Sequence, residues 1–349
     1  MKKCFPKMLF HIFAPSNLIG YAATSRRRLK TKRTLRTLAA LLPIAAASPA
    51  LAAEYKTLDY PGSASTAALG IDGKNIVGSY IDSSGVSHGF LYNGVTYLTL
   101  DAPLGTQGIF PQAISGGNIV GEYDDSSAKG HGFLYNGTTF TTIDDPLTAT
   151  QIPGEGTGAT GISGNKIVGY YFSPTGNQLG YVYDGATYTT LHDPLAGTGG
   201  STAPLGISGN TIVGFVSYPD ASAHGFVYTD GTFTPLDDPL ATGVGGSFAN
   251  AIYGNTIVGQ FTDSSNIEHG YLFDGSAFTT IDDPLGAQGT SATGISGSDI
   301  VGFYTDSAGI THGFEATVPE PSSIALLATG LFWLLCRRKQ QACTILPIP

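Results

Sequence analysis

The tripeptide Ile-Val-Gly occurs six times, beginning at Ile76, Ile119, Ile167, Ile212, Ile257 and Ile300, at spacings of 43, 48, 45, 45 and 43 residues. A unit this short cannot enclose a core of its own and must bury its apolar surface against the next copy. A period in the forties therefore means a solenoid or a propeller. Longer phrases recur too: SHGFLYNGVTYLTLDAP, residues 87–103, returns as GHGFLYNGTTFTTIDDP, residues 130–146.

Each unit reads as four short strands. The first is small and apolar, as in ATGIS (159–163); the second is KIVGYY or TIVGQF, the third HGFLY or HGYLF, the fourth TYTTL or AFTTI. β-branched and aromatic residues dominate the last three, as strands prefer. Pairs such as Gly164-Asn165 and Gly254-Asn255 join the first strand to the second, and Asn93-Gly94 or Asp184-Gly185 the third to the fourth. Such pairs supply the positive φ angles of tight hairpins. The other two connections are longer, as in DSSGVS (82–87) and DDPLTATQIPGEGTG (144–158). In an up-and-down sheet the two kinds of connection lie at opposite ends, giving one blunt face and one face of long acidic loops. Four antiparallel strands in about 45 residues make one propeller blade. Small first-strand residues such as Ala68, Gly70, Ala113, Gly161 and Ala249 suit the crowded centre.

The ends of the array complement one another. The sixth unit, IVGFYTDSAGITHGFEAT, stops after its third strand, while YKTLDYP (55–61) is a fourth strand with no unit of its own. Joining the two closes a ring without an exposed sheet edge. The expected fold is all-β: a six-bladed β-propeller of four-stranded blades over residues 54–318, closed by an N-terminal strand that completes the last blade.

Charge is unevenly placed. Ten of the 17 Lys and Arg precede residue 40, whereas residues 54–318 hold four Lys, no Arg and 25 Asp or Glu, a formal charge of −21. Such a body repels phosphate backbones, which argues against nucleic acid as a partner. Cys4, Cys336 and Cys343 all lie outside this segment, so the body needs no disulfide framework and offers no thiol nucleophile.

The ends carry addresses. Residues 1–53 form a secretory signal region, with the basic stretch SRRRLKTKRTLR (25–36), an apolar run and an Ala50-Leu51-Ala52 cleavage site. Residues 319–349 hold Pro319-Glu320-Pro321 behind Val318, the apolar stretch IALLATGLFWLLC (324–336), the basic stop Arg337-Arg338-Lys339 and a tail. This order resembles the PEP-CTERM sorting signal of Gram-negative bacteria. The resemblance implies an exosortase-type protease as partner, transient membrane insertion through the C-terminal helix, processing near the Pro-Glu-Pro, and a cell-surface or extracellular setting rich in exopolysaccharide. The repeat is also similar to the bacterial extracellular HAF repeat family, with His-Gly-Phe or His-Gly-Tyr in place of His-Ala-Phe; that resemblance implies an exported repeat protein and no catalytic residues.

Two sets of side chains recur. His88, His131, His224, His269 and His312 hold one repeat position, and Asp82, Asp125, Asp263 and Asp306 stand six residues before four of them. The third unit has Leu179 and Ser173 at these positions. The expected role is structural, an Asp–His hydrogen bond that pins the loop between the second and third strands. The Asp-Asp-Pro corners are Asp144-Asp145, Asp237-Asp238 and Asp282-Asp283. They are expected as turns, with calcium bound by carboxylates and loop carbonyls as the alternative. No G-x-S-x-G, H-E-x-x-H or phosphate loop is present, and the Arg-free body cannot grip a carboxylate as a sialidase does. The reading is an exported, exosortase-sorted surface or matrix propeller with a non-enzymatic binding or structural role associated with exopolysaccharide. The alternative is a secreted propeller hydrolase or lyase acting on extracellular carbohydrate.

Overall fold

A computed structural model describes residues 53–148, 156–220 and 222–318. The expected signal region, apart from Ala53, and the expected sorting residues from Pro319 onward lie outside them.

Blade 1 shows how a unit is built. Its strands, from the centre outward, are Ser65–Asp72, Asn75–Ile81, Ser87–Tyr92 and Tyr97–Leu100, each antiparallel to the next. The same four-strand order recurs in blades 2 to 5, over residues 108–143, 157–191, 201–235 and 247–280. In the second strand Ile76 and Tyr80 pack with Ala68 and Phe90, and with Val301 from blade 6. Val77, one residue on and so on the opposite side, packs with Leu100 and with Ile109, Ile119 and Phe133 of blade 2. Both sides of the strand are thus buried, which is why it reads as an apolar run rather than an apolar–polar alternation. The glycine of each Ile-Val-Gly has a steric cause. A Cβ on Gly78 would strike the Ala67 carbonyl, and one on Gly169 the Gly158 carbonyl.

The innermost strands contain a feature not expected from the sequence. Each is interrupted by a bulge, between Ala68 and Gly70, Pro111 and Ala113, Ala159 and Gly161, and so on through Ala292 and Gly294. The extra residue bends the strand and sharpens its twist. The small residue that follows lets neighbouring blades meet at the axis: a Cβ on Gly70 would lie 2.8 Å from Ala113 Cα. Ala68 and Ala249, expected at the centre, are instead fully buried between blades.

Ring closure follows the expectation. The N-terminal strand Glu54–Leu58 pairs antiparallel with Thr311–Thr317, from Glu54 opposite Thr317 to Leu58 opposite Gly313, as the outer strand of blade 6. Tyr60 then stacks on Tyr80 of blade 1 at 3.7 Å between ring centroids, and its hydroxyl bonds Thr99 Oγ1 at 2.8 Å. Near the axis Thr293 Oγ1 donates to the Ala68 carbonyl at 2.8 Å, and the Gly73 N–H donates to Ser296 Oγ at 3.0 Å. The seam between blades 6 and 1 is therefore bonded from rim to centre.

The hairpin turns differ in detail from expectation. In Asn93-Gly94, Asn136-Gly137, Asp184-Gly185 and Asp274-Gly275 only the glycine has positive φ. The preceding side chain works as a cap, Asn93 Oδ1 accepting the N–H groups of Val95 and Thr96 at 3.0 and 2.8 Å. Blade 4 alone among these turns has both residues in the positive region, Asp230 at 50° and Gly231 at 86°.

Candidate functional site

The long connections gather at one end of the ring, and the repeated histidines lie there. Each binds a carboxylate that the sequence reading did not assign to it. Nδ1 meets the first residue of the corner thirteen positions on: His88 with Asp101 at 3.0 Å, His131 with Asp144 at 2.7 Å, His224 with Asp237 at 2.8 Å and His269 with Asp282 at 2.7 Å. His312 completes the set with Asp59, from the N-terminal segment, at 2.9 Å. On the other side Nε2 faces the expected partner, six residues earlier, at 3.6 Å for Asp82, 3.4 Å for Asp125 and 3.5 Å for Asp263 and Asp306. These are ion-pair distances, longer than a good hydrogen bond.

The imidazole is thus a clamp between two loops. In four blades the earlier Asp also closes its own loop, as when Asp263 Oδ1 accepts the N–H groups of Ser265 and Ile267 at 2.8 and 2.9 Å. The Ile267 N–H comes first among the bonds that hold the Asp263 carboxyl below the usual range; burial opposes the shift and His269 supports it. For His269 itself burial opposes the charged form, but Asp282 and Asp263 outweigh it and raise its pKa; Asp59 and Asp306 do the same for His312. Four of the five rings also lie face to face with the residue beside them on the second strand: Tyr80, Tyr123, Phe261 and Tyr304 sit 5.1–5.2 Å from their histidines.

The second residue of each corner is a turn former. Asp145, Asp238 and Asp283, with Asp193 as their counterpart in blade 3, are 2–4% exposed, and each accepts the N–H of the leucine two residues on at 2.8 Å. Burial raises the Asp145 and Asp283 carboxyls, partly offset by those N–H groups. Two carboxylate oxygens here, Asp144 Oδ1 and Asp145 Oδ2, are buried without a partner. Among the described residues no group of three or more His, Cys, Asp or Glu is placed to hold a metal. Calcium at a corner would need carbonyl or water oxygens to complete its shell.

Each of these corners holds up an apolar side chain. Leu104, Leu147, Leu195, Leu240 and Leu285 occupy one repeat position and are 57–74% exposed. The sequence signal was available, since Asp-Pro-Leu recurs, but an exposed leucine is indistinguishable from a core one until the corner is built.

Two cavities complete the picture. The axial channel encloses about 200 Å³, lined by the bulged strands. Two of its polar bulge residues bond the neighbouring blade: Thr160 Oγ1 donates to the Pro204 carbonyl at 2.7 Å and Asn250 Nδ2 to the Ala292 carbonyl at 2.9 Å. A cavity of about 350 Å³ lies where the clamp pattern breaks, beside Leu195, Tyr218, Phe226 and Phe233. There Tyr218 replaces the loop Asp and His192 the first corner Asp.

Residues 317–339 match the PEP-CTERM protein-sorting motif. The chain carries this motif at its C-terminal end. It begins at the last residue of the closing hairpin partner, Thr317, and contains Val318, Pro319, Glu320, Pro321, Arg337 and Arg338. No curated protein matches the sequence. Among solved structures, similar chains include a lectin of Aleuria aurantia in complex with alpha-methyl-L-fucoside, with 13% identity, 76% of this chain and 96% of that chain covered and a TM-score of 0.47. TolB from Acinetobacter baumannii has 12% identity, coverages of 70% and 64% and a TM-score of 0.46. A Trypanosoma rangeli sialidase in complex with the inhibitor DANA has 9% identity, coverages of 82% and 59% and a TM-score of 0.46. At such identities and TM-scores none of them carries a role over to this chain. Among the described residues no helix is long and apolar enough to cross a membrane; the apolar stretch 324–336 lies outside them.

Proposed function

We propose that this is an exported β-propeller, processed by an exosortase-type protease and placed at the cell surface or in the extracellular matrix, where it binds or supports exopolysaccharide without catalysing a reaction. The observation that carries the reading is the sorting motif at residues 317–339, which begins at the last residue of the strand that pairs with the closing one. The long-loop face supports a binding role. Its corners are held in place by His–Asp clamps and capped turns, so a partner would meet a surface whose ordering cost is already met by folding. Calcium belongs to the same proposal, at the Asp144–Asp145 corner, because two buried carboxylate oxygens there lack a protein donor.

Replacing Pro319, Glu320 and Pro321 by alanine tests the sorting step. The variant is expected to remain full length in the membrane fraction while the unaltered chain is shortened and released. Normal processing of the variant would overturn the reading. A glycan-array screen run beside a broad hydrolase and lyase screen tests the rest: binding without turnover is expected, and turnover of an extracellular polysaccharide would replace the binding role with the enzymatic one.

A further inference from the structure

We infer that the blunt face is the bilayer-facing surface of this protein while its C-terminal segment is held in a membrane, so that the clamped, leucine-bearing face is displayed outward. The inference rests on the sorting reading above, and deepens it from an address to an orientation.

The first observation is where the chain ends leave the ring. Glu54 and Thr317 are opposite one another in the closing pair, and both lie at the short-turn end of blade 6. Val318 is held there, its N–H donating to the Ser298 carbonyl at 2.9 Å in the turn between the inner strands. The sorting motif therefore departs from the blunt face at a fixed point on its rim.

The second observation is length. Only residues 319–323, Pro-Glu-Pro-Ser-Ser, separate Val318 from the apolar stretch that begins at Ile324. Five extended residues reach at most about 17 Å. The strand that ends at Thr317 has seven residues and rises about 23 Å from the long-loop end to the blunt end. An inverted ring, long loops against the bilayer, would lift the exit point beyond the reach of its own tether. Upright and side-on placements remain.

The third observation, charge, separates those two. Sixteen described carboxylates lie in or beside the long loops with Lys129, a formal −15. Seven lie at the blunt end with Lys56, Lys74 and Lys166, a formal −4. A bilayer bearing anionic headgroups repels the long-loop end far more strongly. Screening acts over about 8 Å at physiological ionic strength, so the face brought close is the face that feels the lipid. Tilting the ring onto its side would bring the acidic loops down; standing it on the blunt face keeps them away.

Cysteine accessibility reads the orientation directly, because the described body contains no cysteine of its own. In a full-length chain with Cys4, Cys336 and Cys343 replaced by serine, Ser264→Cys marks a long loop of blade 5 and Asn255→Cys marks the blunt turn of the same blade. Both side chains are exposed. Each variant is reconstituted in phosphatidylethanolamine–phosphatidylglycerol vesicles, isolated by flotation and labelled with a bulky polyethylene-glycol maleimide. The detergent-solubilised chain serves as reference. Ser264→Cys is expected to react at its solubilised rate, and Asn255→Cys several-fold more slowly than in detergent. Equal protection of the two positions, or protection of Ser264→Cys alone, would overturn the orientation and leave the sorting reading in place. A chain that does not float with the vesicles would overturn both.

Discussion

Glu268 shows how one partly buried side chain is set by its neighbours. In blade 2 Glu122 fills the space where a Cβ on Gly130 would lie, and Tyr170 of blade 3 donates to it at 2.6 Å. In blade 5 the roles are exchanged: Gln260 stands at the Glu122 position and Glu268 at the Gly130 position. Gln260 Nε2 donates to Glu268 Oε2 at 2.9 Å, and Gln260 Oε1 accepts from Asn250 and from Ser291 of blade 6. Burial pushes the Glu268 carboxyl up to about 7, with His269 opposing. A carboxyl whose folded pKa exceeds its unfolded value binds more protons when folded, so its contribution is full below the unfolded value and is lost as pH rises through about 7. Chemical melts from pH 4 to 8 are expected to show stability falling across that window. Glu268→Gln is expected to flatten this component and to be the more stable chain at pH 8, by up to about 3 kcal/mol on the usual value per pKa unit. An unchanged pH profile in the variant would remove Glu268 from the account. The Asp145 corner makes a second residue-scale prediction. Millimolar calcium should raise the melting temperature more than sodium chloride of equal ionic strength. A ligand that binds only the folded chain adds about 2.7 kcal/mol at a hundred times its dissociation constant. The excess should vanish in Asp145→Asn, and matched melts without any excess would leave the corner as a turn.

At the scale of strands, the glycine of Ile-Val-Gly is tightly constrained in every unit. Gly169 is expected to tolerate no side chain, because a Cβ would meet the Gly158 carbonyl and the Tyr181 ring, the latter at 2.8–2.9 Å. Overpacking of this kind costs about 1–3 kcal/mol and more when backbone must move. Gly169→Ala should therefore lower the denaturant midpoint well beyond Gly164→Ala, whose added Cβ meets nothing and pays only for its positive φ. Equal losses would contradict the packing argument. The glycine of His-Gly-Phe is constrained in the same way: a Cβ on Gly89 would lie 2.8 Å from the Leu100 carbonyl and 2.7 Å from the Pro111 ring. These positions also show what was legible in the chain. Strand number, hairpin turns and the pairing of the two chain ends follow from local patterns repeated six times. The bulges do not, because small apolar first strands carry no period that marks an extra residue. The Nδ1 partner of each histidine was hidden for another reason. His131 lies in the third strand and Asp144 just past the end of the outer one, and only the pairing of those two strands, Gly132 opposite Ile143, brings them together. The expected Asp–His contact within one loop was visible because both partners flank the same loop.

At the scale of the whole molecule, one short strand ties the seam of the ring to the start of the sorting motif. Residues 54–61 complete blade 6, give His312 its Asp59, stack Tyr60 on blade 1 and bring the N-terminal end beside the start of the sorting motif. Leu58 is 2% exposed, in a cluster that holds residues from both sides of the seam. Without this segment the third strand of blade 6 would present an unpaired edge, a template for association between chains. The closed ring is the claim on which the outward display of the long-loop face and the common exit of the chain ends both depend. Its most direct test is thermal unfolding of residues 54–318 with and without residues 54–61, followed by circular dichroism and light scattering. A closed ring predicts loss of the cooperative transition or aggregation in the shortened chain. A cooperative melt at the same temperature, with the shortened chain still monomeric, would contradict it.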